Sequence, residues 1–131
     1  MKKEINVVAA VIIRGDKVLC TQRNDTKYLP YKWEFPGGKI EAQETEKGAL
    51  IREIREELSC TIEVNDKIIE VSHEYDFAIV NLTAFYCNII SEEIILNEHK
   101  KMTWARFDEL KSLDWAEADL PIVNLLLKIN S

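Results

Sequence analysis

Between Gly37 and Cys60 the chain reads GGKIEAQETEKGALIREIREELSC, and Glu53, Glu56 and Glu57 fall within five residues of one another. On a helix such like charges lie three and four positions apart and repel by roughly 0.2–0.5 kcal/mol per pair. At about 3.6 residues per turn, Thr45–Leu58 places Leu50, Ile51, Ile54 and Leu58 on one apolar stripe. The three glutamates fall together on a second face, with the small Ala49 among them and Arg52 at its far edge. An oxygen-rich face beside a buried one suits Mg²⁺ or Mn²⁺, whose shells are usually completed by substrate phosphates. The same pattern also fits a solvated Glu/Arg face held by i,i+4 pairs. The preceding Pro36-Gly37-Gly38 tilts the balance towards the metal: adjacent glycines admit close backbone approach, and a carbonyl there is one more oxygen ligand. Lys39 follows as a cation for a phosphate.

The elements that must hold this face are legible on either side. Val7 to Ile13 is a continuous, largely β-branched run, the pattern of a strand buried on both faces. Arg14-Gly15-Asp16-Lys17 turns the chain into a second strand, Val18–Arg23, so the two form a hairpin. Residues 24–36 read as a loop, 45–58 as a helix, 61–70 and 78–90 as strands, and 101–106 as a shorter strand. A short helix near 107–111 and a longer one over 118–129 close the chain, the latter with Leu120, Val123, Leu126 and Leu127 at helical spacing. The expectation is an α/β fold: a mixed sheet between helices, forming one domain over residues 1–131.

Composition narrows the function classes. The 131 residues are 47% hydrophobic and 31% charged, as in an ordinary globular protein. A net charge of −6 argues against a nucleic-acid polymer as partner, but not against a small phosphorylated ligand held by local cations or a metal. Three widely spaced cysteines, Cys20, Cys60 and Cys87, suggest neither a disulfide framework nor a cysteine zinc site, and fit a reducing cytoplasm. The apolar run after Met1-Lys2-Lys3 is too short for a signal peptide, and no run reaches a membrane span. His73 and His99 lack zinc spacing.

Gly38, then five residues, Glu44, then seven, then Arg52-Glu53-Ile54-Arg55-Glu56-Glu57 resembles the Nudix box of the nucleoside diphosphate-linked hydrolases. WEFPGGKIEAQE is similar to the MutT branch and its cytidine-triphosphate pyrophosphohydrolase relatives. A weaker likeness runs through VVAAVII, TQR, NEHKKMTW and DWAEADLPIV. One position departs: the glycine after the glutamate pair is Ser59, which would cost roughly 1 kcal/mol in a left-handed helix end or terminate the helix differently.

The resemblance implies a Mg²⁺- or Mn²⁺-dependent enzyme that splits a nucleoside triphosphate into monophosphate and pyrophosphate. Glu56 and Glu57 would be metal ligands, assisted by the Gly37 carbonyl. Glu53 would be a ligand or the base that activates water, and Glu98 a further ligand or base. Arg52 would orient a glutamate, Glu44 would support the site, and Arg23 and Lys39 would meet phosphates. Trp33, Phe35, Tyr75 and Trp115 are candidates for a stacking wall, although aromatic residues near strands are more often core, and Phe35, which adjoins the glycine loop, is the one expected to stack. Asp119 would read the base. An ionised aspartate only accepts hydrogen bonds, so it favours the donor edges of guanine or cytosine, while a protonated one also donates to an oxidised purine. Otherwise Asp119 is an N-cap of the last helix. The leading expectation is a monomeric or weakly dimeric hydrolase that removes oxidised nucleotides such as 8-oxo-dGTP. Beside it stand a CTP or dCTP pyrophosphohydrolase, a nucleoside-diphosphate-sugar or dinucleoside-polyphosphate hydrolase, and a non-catalytic nucleotide sensor on the same fold.

Overall fold

A computed structural model describes residues 2–91 and 93–130. Strand β1 (Glu4–Arg14) is its spine. Along one edge it runs parallel to β6 (Ile79–Ile89), from Glu4 opposite Ile79 to Ile12 opposite Cys87. The other edge is shared. Near its start β1 pairs antiparallel with β4 (Gly37–Lys39), and at its end with β2 (Lys17–Gln22). Outer strands complete the mixed sheet: β5 (Ile62–Glu74) on β6, and both β3 (Trp33–Glu34) and β7 (Lys101–Arg106) on β2.

The β-branched run is buried on both faces, as its pattern predicts. Val8, Ala10 and Ile12 join one core, where helix α1 (Glu46–Leu58) contributes Ala49, Leu50, Ile54 and Leu58. Ala9 and Val11 join the opposite core with Ile122, Val123 and Leu126 of α2 (Leu120–Ile129). Alternation along one strand thus seats helices on both sides of the sheet.

α1 starts where the sequence indicates, since the Thr45 hydroxyl accepts the Gly48 N–H at 3.0 Å. It ends with Ser59 at φ 55°, the left-handed conformation for which glycine is better suited. Several boundaries differ from expectation. The 61–70 strand continues to Glu74 and carries register shifts between Val64, Lys67 and Ile69. Within the expected loop, Trp33–Glu34 pairs with β2, and Gly37–Lys39 just after it forms a short strand. The closing elements are 3₁₀ turns over Phe107–Ser112 and Glu117–Asp119 before α2 begins at Leu120. None of these short pieces has enough residues for a period to show.

Candidate active site

The three glutamates of α1 differ sharply in exposure. Glu57 is 8% exposed, whereas the side chains of Glu53 and Glu56 are 15% and 52% exposed. The Gly37 N–H donates to Glu57 Oε1 at 3.2 Å. Burial, reinforced by the charges of Glu34, Glu53 and Glu98, pushes the Glu57 carboxyl from 4.5 up to about 9. Glu53 is raised as well, first by burial, with Arg52 opposing the shift and Glu56 and Glu98 adding to it. The charge of Glu98, far along the chain, is therefore felt at the same cluster. Its own residue is exposed, and its carbonyl accepts the Asn24 side-chain N–H at 2.6 Å.

Arg52 ties this face together. Its Nε and Nη2 grip Glu44 at 2.7 and 2.9 Å, and Nη1 reaches Glu53 and Glu56, each at 3.2 Å. Nη2 also donates to the Lys39 carbonyl at 3.0 Å, fastening α1 to β4. Arg52 first, then the Glu41 amide, holds the Glu44 carboxyl down at about 2.

The glycine pair has two steric causes. A Cβ on Gly37 would overlap the Val8 carbonyl across the β1–β4 ladder, and one on Gly38 would overlap the Glu53 carboxylate. What approaches these glycines closely is the chain's own backbone and its own glutamate. The segment before them hands out its groups in turn. Phe35 N–H donates to Asp119 Oδ1 at 3.0 Å, the Pro36 carbonyl accepts from Ala10 N–H at 2.8 Å, and Gly37 N–H goes to Glu57. Proline, which has no N–H, stands where only an acceptor is used.

Beside this segment opens a pocket of about 550 Å³ bordered by Arg23, Gly37, Gly38, Lys39, Glu57 and Asp119, with Phe35, Tyr28, Tyr75 and Phe77 among its walls. Tyr28 stacks on Phe77 at 4.1 Å between centroids, and Phe77 on Tyr75 at 5.1 Å. Phe35, expected to stack on the base, borders the pocket but is 3% exposed, and its ring packs on Trp115 at 4.7 Å between centroids. Asp119 is 6% exposed and makes no side-chain cap to α2, since its oxygen is turned to the Phe35 amide. Burial, then Glu34, raises its carboxyl well above the usual aspartate range, against the pull of the Phe35 amide and Arg23. Arg23 is engaged with Glu34 Oε1 at 2.9 Å and the Tyr28 carbonyl at 3.2 Å, while Lys39 is exposed.

Sequence reasoning did not single out Glu34, Asn97, Tyr28 or Phe77. Glu34 stands between Arg23 and His99 Nε2, at 2.9 and 3.0 Å, and its charge is felt at both Glu57 and Asp119. Its presence in the quoted WEFPGG was the available signal.

The donor set suits a hard dication. The charges of Glu34, Glu53 and Glu98 bear on Glu57 and those of Glu56 and Glu98 on Glu53, and a positive ion would offset that repulsion. Among the described residues no three acidic, histidine or cysteine side chains are gathered as a ready-made cage. Such a face suits an ion that keeps waters and takes part of its shell from a phosphate.

The fold and this face define a hydrolase class, and the chain belongs to it: residues 8–125 match the NUDIX domain family. It is 32% identical to the CTP pyrophosphohydrolase of Escherichia coli, over 98% of this chain and 96% of that protein. Identity to the 8-oxo-dGTP diphosphatase of Haemophilus influenzae is 31%, over 97% and 95%. The solution structure of the DNA mismatch repair protein MutT, a Nudix hydrolase from methicillin-resistant Staphylococcus aureus, superposes with a TM-score of 0.79. The two share 53% identity and each is covered to 98%. Nudix hydrolases generally use divalent metal cations.

Proposed function

We propose that the chain is a single-domain, Mg²⁺- or Mn²⁺-dependent nucleoside triphosphate pyrophosphohydrolase, converting (d)NTP and water to (d)NMP and pyrophosphate, with oxidised nucleotides such as 8-oxo-dGTP as substrates. One observation carries this reading. The acid face of α1 and the aromatic-walled pocket meet at Gly37–Lys39, so one ligand with a flat base and a polyphosphate tail reaches both.

A bound dication would neutralise phosphate oxygens and lower the pKa of a water at the cluster. Glu56 and Glu57, with the Gly37 carbonyl, would hold it. Glu53, kept partly dry by Gly38 and steadied by Arg52, would take the proton from water, with Glu98 as a further ligand or base. Arg23 and Lys39 would hold phosphates as the pyrophosphate departs. Asp119 and the Phe35 amide would read the base, with Tyr28, Tyr75 and Phe77 as its walls.

A second reading, CTP or dCTP as substrate, is supported by the Escherichia coli relative and by an acceptor at Asp119 that suits a cytosine amino group. Three free buried cysteines support a cytoplasmic setting, and no described helix is long and apolar enough to cross a membrane. The test is Mg²⁺-dependent pyrophosphate release across 8-oxo-dGTP, dGTP, CTP, dCTP, ADP-ribose and a dinucleoside tetraphosphate, with Glu53→Gln beside the wild type. Turnover of a triphosphate, lost in the variant, supports the proposal. Nucleotide binding without turnover would move the chain to the sensor class.

A further inference from the structure

Residues 97–99 lie outside the glutamate helix, yet each is tied to a different part of the site. The Asn97 side-chain amide donates to the Glu56 carbonyl at 2.9 Å and to Ser59 Oγ at 2.8 Å, while its backbone N–H donates to the Glu57 carbonyl at 2.9 Å. These are the last carbonyls of α1, left open by the helix itself. The Ile95 N–H serves the Leu58 carbonyl in the same way, at 2.9 Å. Ser59, which stands where the family has glycine, supplies an acceptor that glycine lacks.

On the other side, the His99 side chain is only 4% exposed and its Nε2 lies 3.0 Å from Glu34 Oε2. A carboxylate oxygen only accepts, so the ring donates from Nε2. Glu34 in turn grips Arg23 at 2.9 Å. Between the two anchors, Glu98 has its carbonyl held by Asn24, and its charge is felt at both Glu53 and Glu57.

We propose that Asn97 and His99 are positioning residues that fix the Glu98 backbone, and with it the reach of its carboxylate, beside the glutamate helix, Asn97 by capping that helix and His99 by fastening to Glu34. The device depends on three consecutive residues and on a serine at the helix end. It makes the spacing between Glu98 and the helix glutamates a property of the loop rather than of the box. This inference rests on the proposed role of Glu98 at a metal-bearing site.

The test compares wild type with Asn97→Ala, His99→Ala, His99→Gln and Glu98→Gln, and with each alanine variant combined with Glu98→Gln. Mn²⁺ affinity is read by electron paramagnetic resonance, and turnover of the best triphosphate is read beside it. Positioning groups around a metal site are typically worth about 10–100-fold. His99→Ala is therefore expected to weaken Mn²⁺ binding and lower kcat by about tenfold, with nucleotide KM nearly unchanged. Asn97→Ala, whose contacts are exposed, is expected to lose less. His99→Gln, which can still donate to Glu34, restores most of the loss. Glu98→Gln costs less on top of either alanine variant than it does in the wild type, least on top of His99→Ala, because the changes remove parts of the same interaction.

Full additivity, or alanine variants that leave Mn²⁺ affinity and kcat within twofold while Glu98→Gln does not, would overturn the proposal. So would a Glu98→Gln variant indistinguishable from wild type in both readouts. If the wild type turns over no triphosphate, the functional reading fails by itself, and the Mn²⁺ measurements still decide whether the loop positions Glu98.

Discussion

Glu57 and Asp119 are both nearly buried acids, and each receives one backbone N–H from the same short segment, Gly37 for the first and Phe35 for the second. Both carboxyls are pushed upward, with burial the leading cause in each. Their surroundings then diverge. Glu57 is also crowded by Glu34, Glu53 and Glu98, while Asp119 has only Glu34 against it and Arg23 in its favour. The first environment is relieved by a positive ion. The second, walled by Tyr75, Ala118 and Phe35, is relieved by a proton or by a hydrogen-bonding partner. Two acids on one pocket, separated by the reach of Pro36, thereby become suited to the two ends of a nucleotide.

The sharpest way to break this contrast is to neutralise each acid in turn. Glu57→Gln is expected to lower pyrophosphate release by at least about a hundredfold, since even a supporting residue at a metal site is worth ~10–100-fold. The same change should raise the melting temperature of the metal-free protein at pH 8, because it removes the cost of protonating on folding a buried carboxyl that is ionised in the unfolded chain. Asp119→Asn should instead leave Mn²⁺ affinity unchanged and shift the ratio of kcat/KM between 8-oxo-dGTP and dCTP by about tenfold, the worth of one or two hydrogen bonds. Equal loss of metal binding in both variants would erase the distinction.

The pH dependence of stability sharpens it further. Glu57 binds its proton more tightly when folded than when unfolded. Its contribution is therefore fully present below 4.5 and is lost as pH rises through about 9. The metal-free melting temperature should fall over that window in calorimetric scans, and saturating Mg²⁺ should flatten the slope. Asp119 contributes with the same sign, so Asp119→Asn reduces the fall whether or not Mg²⁺ is present. In Glu57→Gln the Mg²⁺-sensitive part should shrink to what Glu53 contributes, with the Asp119 part unchanged.

A smaller effect is expected at the aromatic wall. Phe77→Ala removes the ring that bridges Tyr28 and Tyr75, and should raise nucleotide KM roughly fivefold, about 1 kcal/mol of aromatic contact, with Mn²⁺ affinity intact. Ser59→Gly should show the least. It relieves roughly 1 kcal/mol of left-handed strain but forfeits the Asn97 contact to Ser59 Oγ, so unfolding free energy in denaturant should change by no more than about 0.5 kcal/mol.

The helix half of the site was readable because it is local. The spacing of Leu50, Ile54 and Leu58 against Glu53, Glu56 and Glu57 is a helical period, and the Thr45 cap and the glycine pair lie within a few residues of it. The reason for the glycines was not readable. Gly37 yields to Val8 across a strand pairing, and Gly38 to the Glu53 side chain on the helix face beside the apolar stripe. Phe35 and Tyr28 show the same limit from the other side. Both are aromatic residues near a loop, and only packing on Trp115 or on Phe77 separates a core ring from a pocket wall.

By itself, the sequence determined the family, the α/β order of elements, and the one helix face on which three carboxylates converge. Each of these follows from residue type and short-range period, which the backbone geometry of helix and strand enforces wherever the segment lies. The tertiary structure decided how deeply each acid is buried, which amide each receives, and that Glu34, Glu98 and His99 join them. Those features depend on β1 pairing with β4 and β2 along one edge and on the 95–99 loop closing over the end of α1. Contacts between residues so far apart in the chain have no period to betray them, because the folding of the sheet alone brings them within reach.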